Sequence, residues 1–270
     1  MTAVESAIVR LTGVLHDCAP CVVAVSGGVD SLTLATLAHR TLGHRARMVH
    51  AVSPAVPPAA TARVRALAER EDWRLGVLGA GEFEDARYLE NPANRCYYCK
   101  THLYAALAAA IPGQIVSGTN LDDLDDYRPG LDAAREHGVR HPYVEARITK
   151  AALREIARAL GLGEIAELPA APCLASRVET GLPIAGVALD FVDAAETLLR
   201  ERLAPETVRC RLRRTGVVIE LDQPTHARLD DTRRTALQAE LVQLARLHCV
   251  DGEIAFASYR RGSAFLHESP

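Results

Sequence analysis

The run Cys21-Val22-Val23-Ala24-Val25-Ser26 passes without a spacer into Gly27-Gly28-Val29-Asp30-Ser31, and then into an apolar-periodic stretch from Leu32 to Leu42. A continuous β-rich run of this kind fits a central parallel strand covered on both faces. Two glycines let the backbone approach an anion closely, and the amides that follow point at it with a helix dipole behind them. Ser26 and Ser31 add hydroxyl donors. Asp30 suits a divalent cation shared with phosphate oxygens rather than a phosphate alone. The bland alternative is a Gly-Gly turn with Ser or Asp capping the next helix. Such turns rarely combine all six residues behind a buried strand. The phosphate loop ending in Gly-Lys-Ser/Thr and the dinucleotide fingerprint are both absent.

The rest of the first part of the chain alternates strands with helices. Strands are predicted at 48–53, 75–78 and 115–117, and helices at 3–17, 59–71, 101–110, 130–137 and 149–160. This order implies an α/β, doubly wound parallel sheet whose ligand lies beyond the carboxyl ends of the strands. Segments 26–31, 53–58 and 117–128 all fall at such ends. The pattern changes near residue 185. A helix at 187–202 leads to alternating runs at 208–214 and 217–222, separated by Thr215-Gly216, a hairpin signal. A helix at 224–247 and a strand at 253–259 follow. The expected division is a main domain over 1–185 and a small C-terminal α+β domain over 186–270.

Composition narrows the function. The 270 residues are 49% hydrophobic and 24% charged, a globular profile. Thirty-one basic against 34 acidic side chains give a formal charge of −3, which argues against a nucleic-acid partner. No apolar run is long enough to span a bilayer, so no membrane partner is expected. Residues 1–20 show no signal peptide, and a cytoplasmic location is expected. Seven cysteines in a reducing compartment point to metal binding or catalysis for some of them.

Cys96 and Cys99 form a CxxC within Asn91–Lys100, and Cys173 lies in the Pro-bounded run Pro172–Arg177. Two intervening residues let two sulfurs converge on one metal. Three thiolates suit an iron–sulfur cluster with one open iron, while a zinc site or a redox pair fits the CxxC as well. Nearby Arg95, Lys100 and Arg177 favour the thiolate form. Cys18, Cys21, Cys210 and Cys249 are expected to pack in the core. Arg209, Arg211 and Arg213 alternate onto one face of a strand. Such a row suits a phosphate group, or serves as an exposed edge kept soluble by charge.

The hexapeptide from Ser26 to Ser31 resembles the signature of PP-loop ATP pyrophosphatases, which implies cleavage of ATP to AMP and pyrophosphate with adenylation of a substrate oxygen. Together with Asn91–Lys100, residues 118–130 and Pro172–Arg177, it looks like the LarE family. The four segments occur in the family's order, between about residues 20 and 220. The resemblance implies an ATP-dependent sulfur transferase that adenylates a carboxylate of a pyridinium mononucleotide and replaces the activated oxygen with sulfur. It further implies ATP and Mg2+ as cofactors, with Mg2+ on Asp30. Ser26, Gly27, Gly28, Asp30, Ser31, Gly118, Thr119, Asp123, Arg128 and Arg177 then belong to the ATP pocket, with Ser53 contacting the adenine side through its backbone. Arg209 and Arg211 match an Arg pair that meets the substrate phosphate, and Glu196 and Glu220 face the same site.

All three of Cys96, Cys99 and Cys173 are present, as in the branch that holds a [4Fe-4S] cluster. The other branch sacrifices the sulfur of a single cysteine at the position of Cys173. The resemblance also implies a carboxylated nucleotide as substrate and a homo-oligomer. It weakens at Glu179–Ile184 and around 212–214, which leaves the sulfur acceptor open. A tRNA thiolase, an amide-forming PP-loop ligase and a non-catalytic nucleotide or zinc protein are the competing readings.

Overall fold

The computed structural model describes residues 1–124 and 129–260, and the chain forms two compact units. One comprises Met1–Asp85 with Asn94–Ala171, and the other Ala86–Ala93 with the chain from Pro172 onward. This division falls earlier than the expected one after residue 185. The reason is local: Val178 bridges to Leu212, and Arg211 donates to the Ser176 carbonyl at 3.0 Å, so the Cys173 segment packs with the C-terminal hairpin.

The first unit is built on a parallel sheet in the order β3-β2-β1-β4, as the strand–helix alternation predicts. Its strands are β1 (Cys21–Ala24), β2 (Ala46–Val52), β3 (Leu75–Gly79) and β4 (Gln114–Val116). Alternation along β1 explains its two-sided burial. Cys21, Val23 and Val25 join a cluster with Leu11, Leu15, Leu32 and Ile156, while Val22 joins another with Tyr104, Leu107 and Ile115. Each fully buried valine contributes roughly 1.5–3 kcal/mol relative to exposure. Beyond β4, Arg140 forms a parallel bridge with Val116, and Ser117 donates its N–H to the Arg140 carbonyl at 3.1 Å.

Two helix boundaries differ from expectation. The helix predicted at 101–110 runs from Arg95 to Ala110, so the CxxC lies at its N-terminal end. Positions 96 and 99 are therefore i and i+3 on one helical face. The helix predicted at 224–247 is two, Gln223–Ala227 and Asp231–Leu247. Asp230 interrupts it because its side chain accepts from the Arg233 N–H and caps the second helix.

The second unit carries β5 (Val208–Arg213), β6 (Gly216–Leu221) and β7 (Ile254–Ser258) in the order β5-β6-β7. β5 and β6 form the antiparallel hairpin expected from Thr215-Gly216, and β7 joins β6 in parallel. Cys18, Cys21 and Cys210 are buried as expected, but Cys249 is exposed. It sits past the end of Asp231–Leu247 with φ of 53°, where the chain turns out of the helix. Among the described residues, no helix is long and apolar enough to cross a membrane.

Gly216 has φ of 123°, and a Cβ there would lie 2.6 Å from the Glu253 carbonyl oxygen. Gly216→Ala is expected to lower stability by roughly 1–3 kcal/mol, read as a shifted urea midpoint with an unchanged slope.

Candidate nucleotide site and cysteine turn

The carboxyl end of β1 is shaped by its loop. Gly27 has φ of 85°, and a Cβ on it would meet the Ala60 carbonyl oxygen at 2.8 Å, so only glycine fits. Arg63 donates to the Gly27 carbonyl at 2.6 Å, with burial pulling its pKa down from the usual arginine range. Ser31 Oγ accepts from the Ser26 N–H at 3.0 Å and lies 3.1 Å from Ser26 Oγ, so the two expected hydroxyls cross-brace the loop. Gly28 caps the helix Val29–Leu42, whose first-turn amides have no intrahelical partner and suit an anion. Buried His50 supports the loop from below. Its Nδ1 donates to the Val25 carbonyl at 2.8 Å, and its Nε2 is hydrogen-bonded to Thr61 Oγ1 at 2.9 Å.

Asp30 sits at the centre of a polar node. Both its oxygens accept from Lys150 Nζ, at 2.6 and 2.5 Å, and Oδ1 accepts from Asn120 Nδ2 at 3.1 Å. Asn120 also donates to Asp123 Oδ2 through its N–H and its side chain, both at 3.0 Å. Asp123 therefore shapes the turn, and Asp122 accepts from the Lys150 N–H at 2.8 Å. Gly118 packs directly on the loop: a Cβ there would lie 3.0 Å from Asp30 C and Ser31 N. Ser53 follows β2 and turns the chain, its Oγ accepting from the Ala55 N–H at 3.3 Å. Arg128 lies outside the described residues.

Sequence reasoning missed Lys150, Asn120 as the hub, and the segment 140–150 that braces them. Tyr143, fully buried, donates to the Asp30 carbonyl at 3.0 Å, and burial pushes its hydroxyl pKa well up. His141 Nδ1 lies 2.9 Å from Ser117 Oγ, which is 3.2 Å from Thr119 Oγ1. The available signal was Thr149, an N-cap residue whose side chain accepts from the Ala152 N–H and starts a helix at Lys150. A lysine at a helix N-terminus opposes the dipole, and here two aspartates hold it.

The same unit carries Cys96, exposed, and Cys99, half-buried, at the positive end of the Arg95–Ala110 helix dipole. Cys173 belongs to the second unit, where it is exposed on a tightly held turn. Its carbonyl accepts from the Ser176 N–H at 3.0 Å, Ser176 Oγ at 2.7 Å and Arg177 Nη1 at 3.1 Å. Arg177 is buried and also donates to Glu196 Oε1 at 2.8 Å and Oε2 at 3.1 Å. Arg200 and the Cys210 N–H complete the shell of Glu196, at 2.7 and 3.1 Å. Burial works to raise the Glu196 pKa, but Arg177, the Cys210 N–H and Arg200 together hold it below the usual carboxylate range.

Arg211 is buried and donates to Glu220 at 3.0 Å, and Arg213 donates to the other Glu220 oxygen at 3.0 Å. Half-buried Arg209 lies over the Tyr259 ring, 5.8 Å from its centroid. Among the described residues, no three His, Cys, Asp or Glu side chains are gathered as a metal site.

A parallel sheet with this loop at the end of β1 and a carboxylate at the helix start defines a PP-loop unit that binds an ATP-type nucleotide. No family model matches the chain. It is 38% identical to an uncharacterized protein of Synechocystis over 221 residues, 80% of this chain and 82% of that one. An uncharacterized protein of Methanocaldococcus jannaschii is 27% identical over 205 residues, 74% of this chain and 77% of that one. The pyridinium-3,5-bisthiocarboxylic acid mononucleotide synthase of Lactiplantibacillus plantarum is 31% identical over 226 residues, 82% of this chain and 80% of the synthase. The chain belongs to the LarE family, and with it to the PP-loop enzymes.

The two ion pairs set what substitution should do. Lys150→Met is expected to weaken ATP binding about tenfold or more by calorimetry, with Lys150→Arg partly restoring it. Glu196→Ala strands a buried guanidinium and is expected to cost about 3–5 kcal/mol in denaturant unfolding. Because the folded Glu196 pKa is lowered, its contribution is full above the unfolded carboxylate range and lost as pH falls through the folded value. Glu196→Gln should flatten that acid limb of the stability curve.

Proposed function

We propose that this chain is an ATP-dependent, AMP-forming sulfur transferase that converts a carboxylate of a pyridinium dicarboxylate mononucleotide to a thiocarboxylate. The observation that carries this reading is the 31% identity to the bisthiocarboxylic acid mononucleotide synthase over 82% of this chain. The glycine-shaped loop at the end of β1 supports it. In the first step a substrate carboxylate oxygen attacks the α-phosphorus of ATP, and pyrophosphate leaves with the bonding pair. In the second, a sulfur nucleophile attacks the acyl carbon of the mixed anhydride, and AMP leaves. Ser26, Gly27, Gly28 and Ser31 cradle the departing pyrophosphate. By the family resemblance Gly118, Thr119, Asp123 and the backbone of Ser53 are assigned to the nucleoside part.

Asp30 is the residue for Mg2+. Its two oxygens already accept a cation, the Lys150 ammonium, so the carboxylate is oriented for positive charge. Bound there, Mg2+ would neutralise phosphate charge, and Lys150 would be released toward the phosphate oxygens. Arg209 and Arg211 take the substrate phosphate, which requires Arg211 to exchange its Glu220 partner.

Cys96, Cys99 and Cys173 are the ligands we assign to a [4Fe-4S] cluster, which when bound supplies sulfide. Three soft thiol donors fit iron chemically. They are not gathered among the described residues, and no step is derived through the group. The clamped, exposed turn at Cys173 favours a second route. There the Cys173 thiolate attacks the acyl adenylate and expels AMP. Loss of the Cα proton then breaks the Cβ–S bond, leaving dehydroalanine and the thiocarboxylate. The proposed setting is a cytoplasmic homo-oligomer.

Anaerobic purification with iron and sulfide analysis, followed by ATP/pyrophosphate exchange on pyridinium dicarboxylate mononucleotide, tests the reading. Exchange dependent on that carboxylate is expected, and Cys173→Ala should retain exchange while losing thiocarboxylate formation. Exchange stimulated only by tRNA, or amide formation with ammonia, would overturn it. Iron and sulfide support the cluster, zinc removes it, and loss of the elements of hydrogen sulfide from Cys173 identifies the sacrificial route.

A further inference from the structure

The peptide between Gly27 and Gly28 is the one link of the phosphate loop with glycine on both sides. Glycine takes positive and negative φ with similar ease, so this peptide can flip at little steric cost. In one orientation it offers an N–H to the space outside the loop, and in the other a carbonyl oxygen. Only the first suits an anion. Residues 26–31 alone do not decide between the two.

The helix Pro58–Arg70 supplies the decision. Ala60 closes on Gly27, and Thr61 is tied to the end of β1 through His50 and the Val25 carbonyl. Arg63, from the same helix, donates from Nη1 to the Gly27 carbonyl at 2.6 Å. The peptide is trans, so its C=O and N–H point in opposite directions, and the bond turns the Gly28 N–H away from Arg63.

The far side of Gly28 is open. A Cβ placed on it would meet only Ser26 Oγ, at 3.7 Å, and its φ of −86° suits any residue. The fold therefore does not demand glycine here, unlike at Gly27. Gly28 is also the N-cap of Val29–Leu42 and makes no side-chain cap bond. A serine or aspartate in its place would occupy the amides of the first turn. Glycine leaves those amides, and the space beside them, to a ligand.

We propose that Arg63 is a positioning residue of the phosphate loop, which by holding the Gly27 carbonyl aims the Gly28 N–H at a bound pyrophosphate group. This rests on the nucleotide-binding reading of the first unit and names the side chain that orients its loop. Arg63 acts through the peptide, because its contact lies on the side opposite the N–H. Its charge also favours an anion nearby. Burial works against that charge, and among the described residues no carboxylate pairs with it.

The test follows the Gly28 amide by nuclear magnetic resonance as magnesium pyrophosphate is added to the full chain. Gly27-Gly28 is the only Gly-Gly pair in the sequence. With glycine labelled at nitrogen and at the carbonyl carbon, Gly28 is therefore the one amide coupled to a labelled carbonyl. At saturation its proton is expected to move downfield in the native chain. Arg63→Met should lose that shift and bind pyrophosphate and MgATP about tenfold more weakly by calorimetry. Arg63→Lys, which keeps a charged donor, should restore most of both. A Gly28 amide that stays put in the saturated native chain overturns the proposal, and that arm stands even if Arg63→Met fails to fold. Native affinity in Arg63→Met overturns it as well. Weakened binding with the Gly28 shift intact would place Arg63 on the anion itself and also overturn the positioning role. A native chain that binds neither pyrophosphate nor ATP would instead sink the nucleotide-binding reading.

Discussion

The first unit depends on the burial of β1 on both faces. A strand with Cys21, Val23 and Val25 on one side and Val22 on the other needs helices against both sides. Parallel neighbours then require crossovers, and the crossovers bring the ends of β1, β2 and β4 to one edge. The polar residues at that edge are constrained by the same packing. Gly27 cannot carry a side chain because Ala60 closes on it, and a side chain at Gly118 would press on the backbone of Asp30 and Ser31 at 3.0 Å. The loop is thus cast by apolar burial before any polar contact is made.

Two ion pairs of similar geometry differ in what they can do. Lys150 and Asp30 are each about a third exposed, at 32% and 28%. A pair so open to water is worth about 1 kcal/mol or less, so phosphate or a divalent cation can replace either partner at small cost. Arg177 and Glu196 are 3% and 1% exposed. Separating them would strand a buried charge at about 3–5 kcal/mol, so they act as a fixed brace for the Cys173 turn. Arg211 and Glu220, at 7% and 3%, resemble the second pair.

Much of the architecture was legible because it follows from periodicities of two and 3.6. The parallel sheet, the hairpin at Thr215-Gly216 and the buried Cys18, Cys21 and Cys210 all express those patterns. Boundaries set by one side chain were not legible in that way. Asp230 splits a continuous apolar stretch by capping, and the helix at Arg95 starts a turn and a half early, with Cys96 and Cys99 inside it. The loop at Ser26–Ser31 announced itself through residue types that serve no apolar purpose. Lys150, Asn120, Tyr143 and His141 did not, because each is ordinary in its own segment and acquires meaning only from a partner distant in sequence.

The division of the thiols bears on the sulfur chemistry. Cys96 and Cys99 belong to the unit that forms the nucleotide loop, and Cys173 to the unit that braces its own turn with Arg177 and Glu196. The cluster route calls on all three thiols. The sacrificial route draws on Cys173 alone, and its requirement is local: an exposed sulfur on a main chain held in place. The brace satisfies that requirement whichever sulfur is used, since a ligand and a nucleophile both need a fixed Cα with a free-swinging side chain. What separates the chemistries is therefore the pair on the Arg95–Ala110 helix. A fixed main chain at Cys173 serves both routes, and of the two the cluster is the one that also uses Cys96 and Cys99.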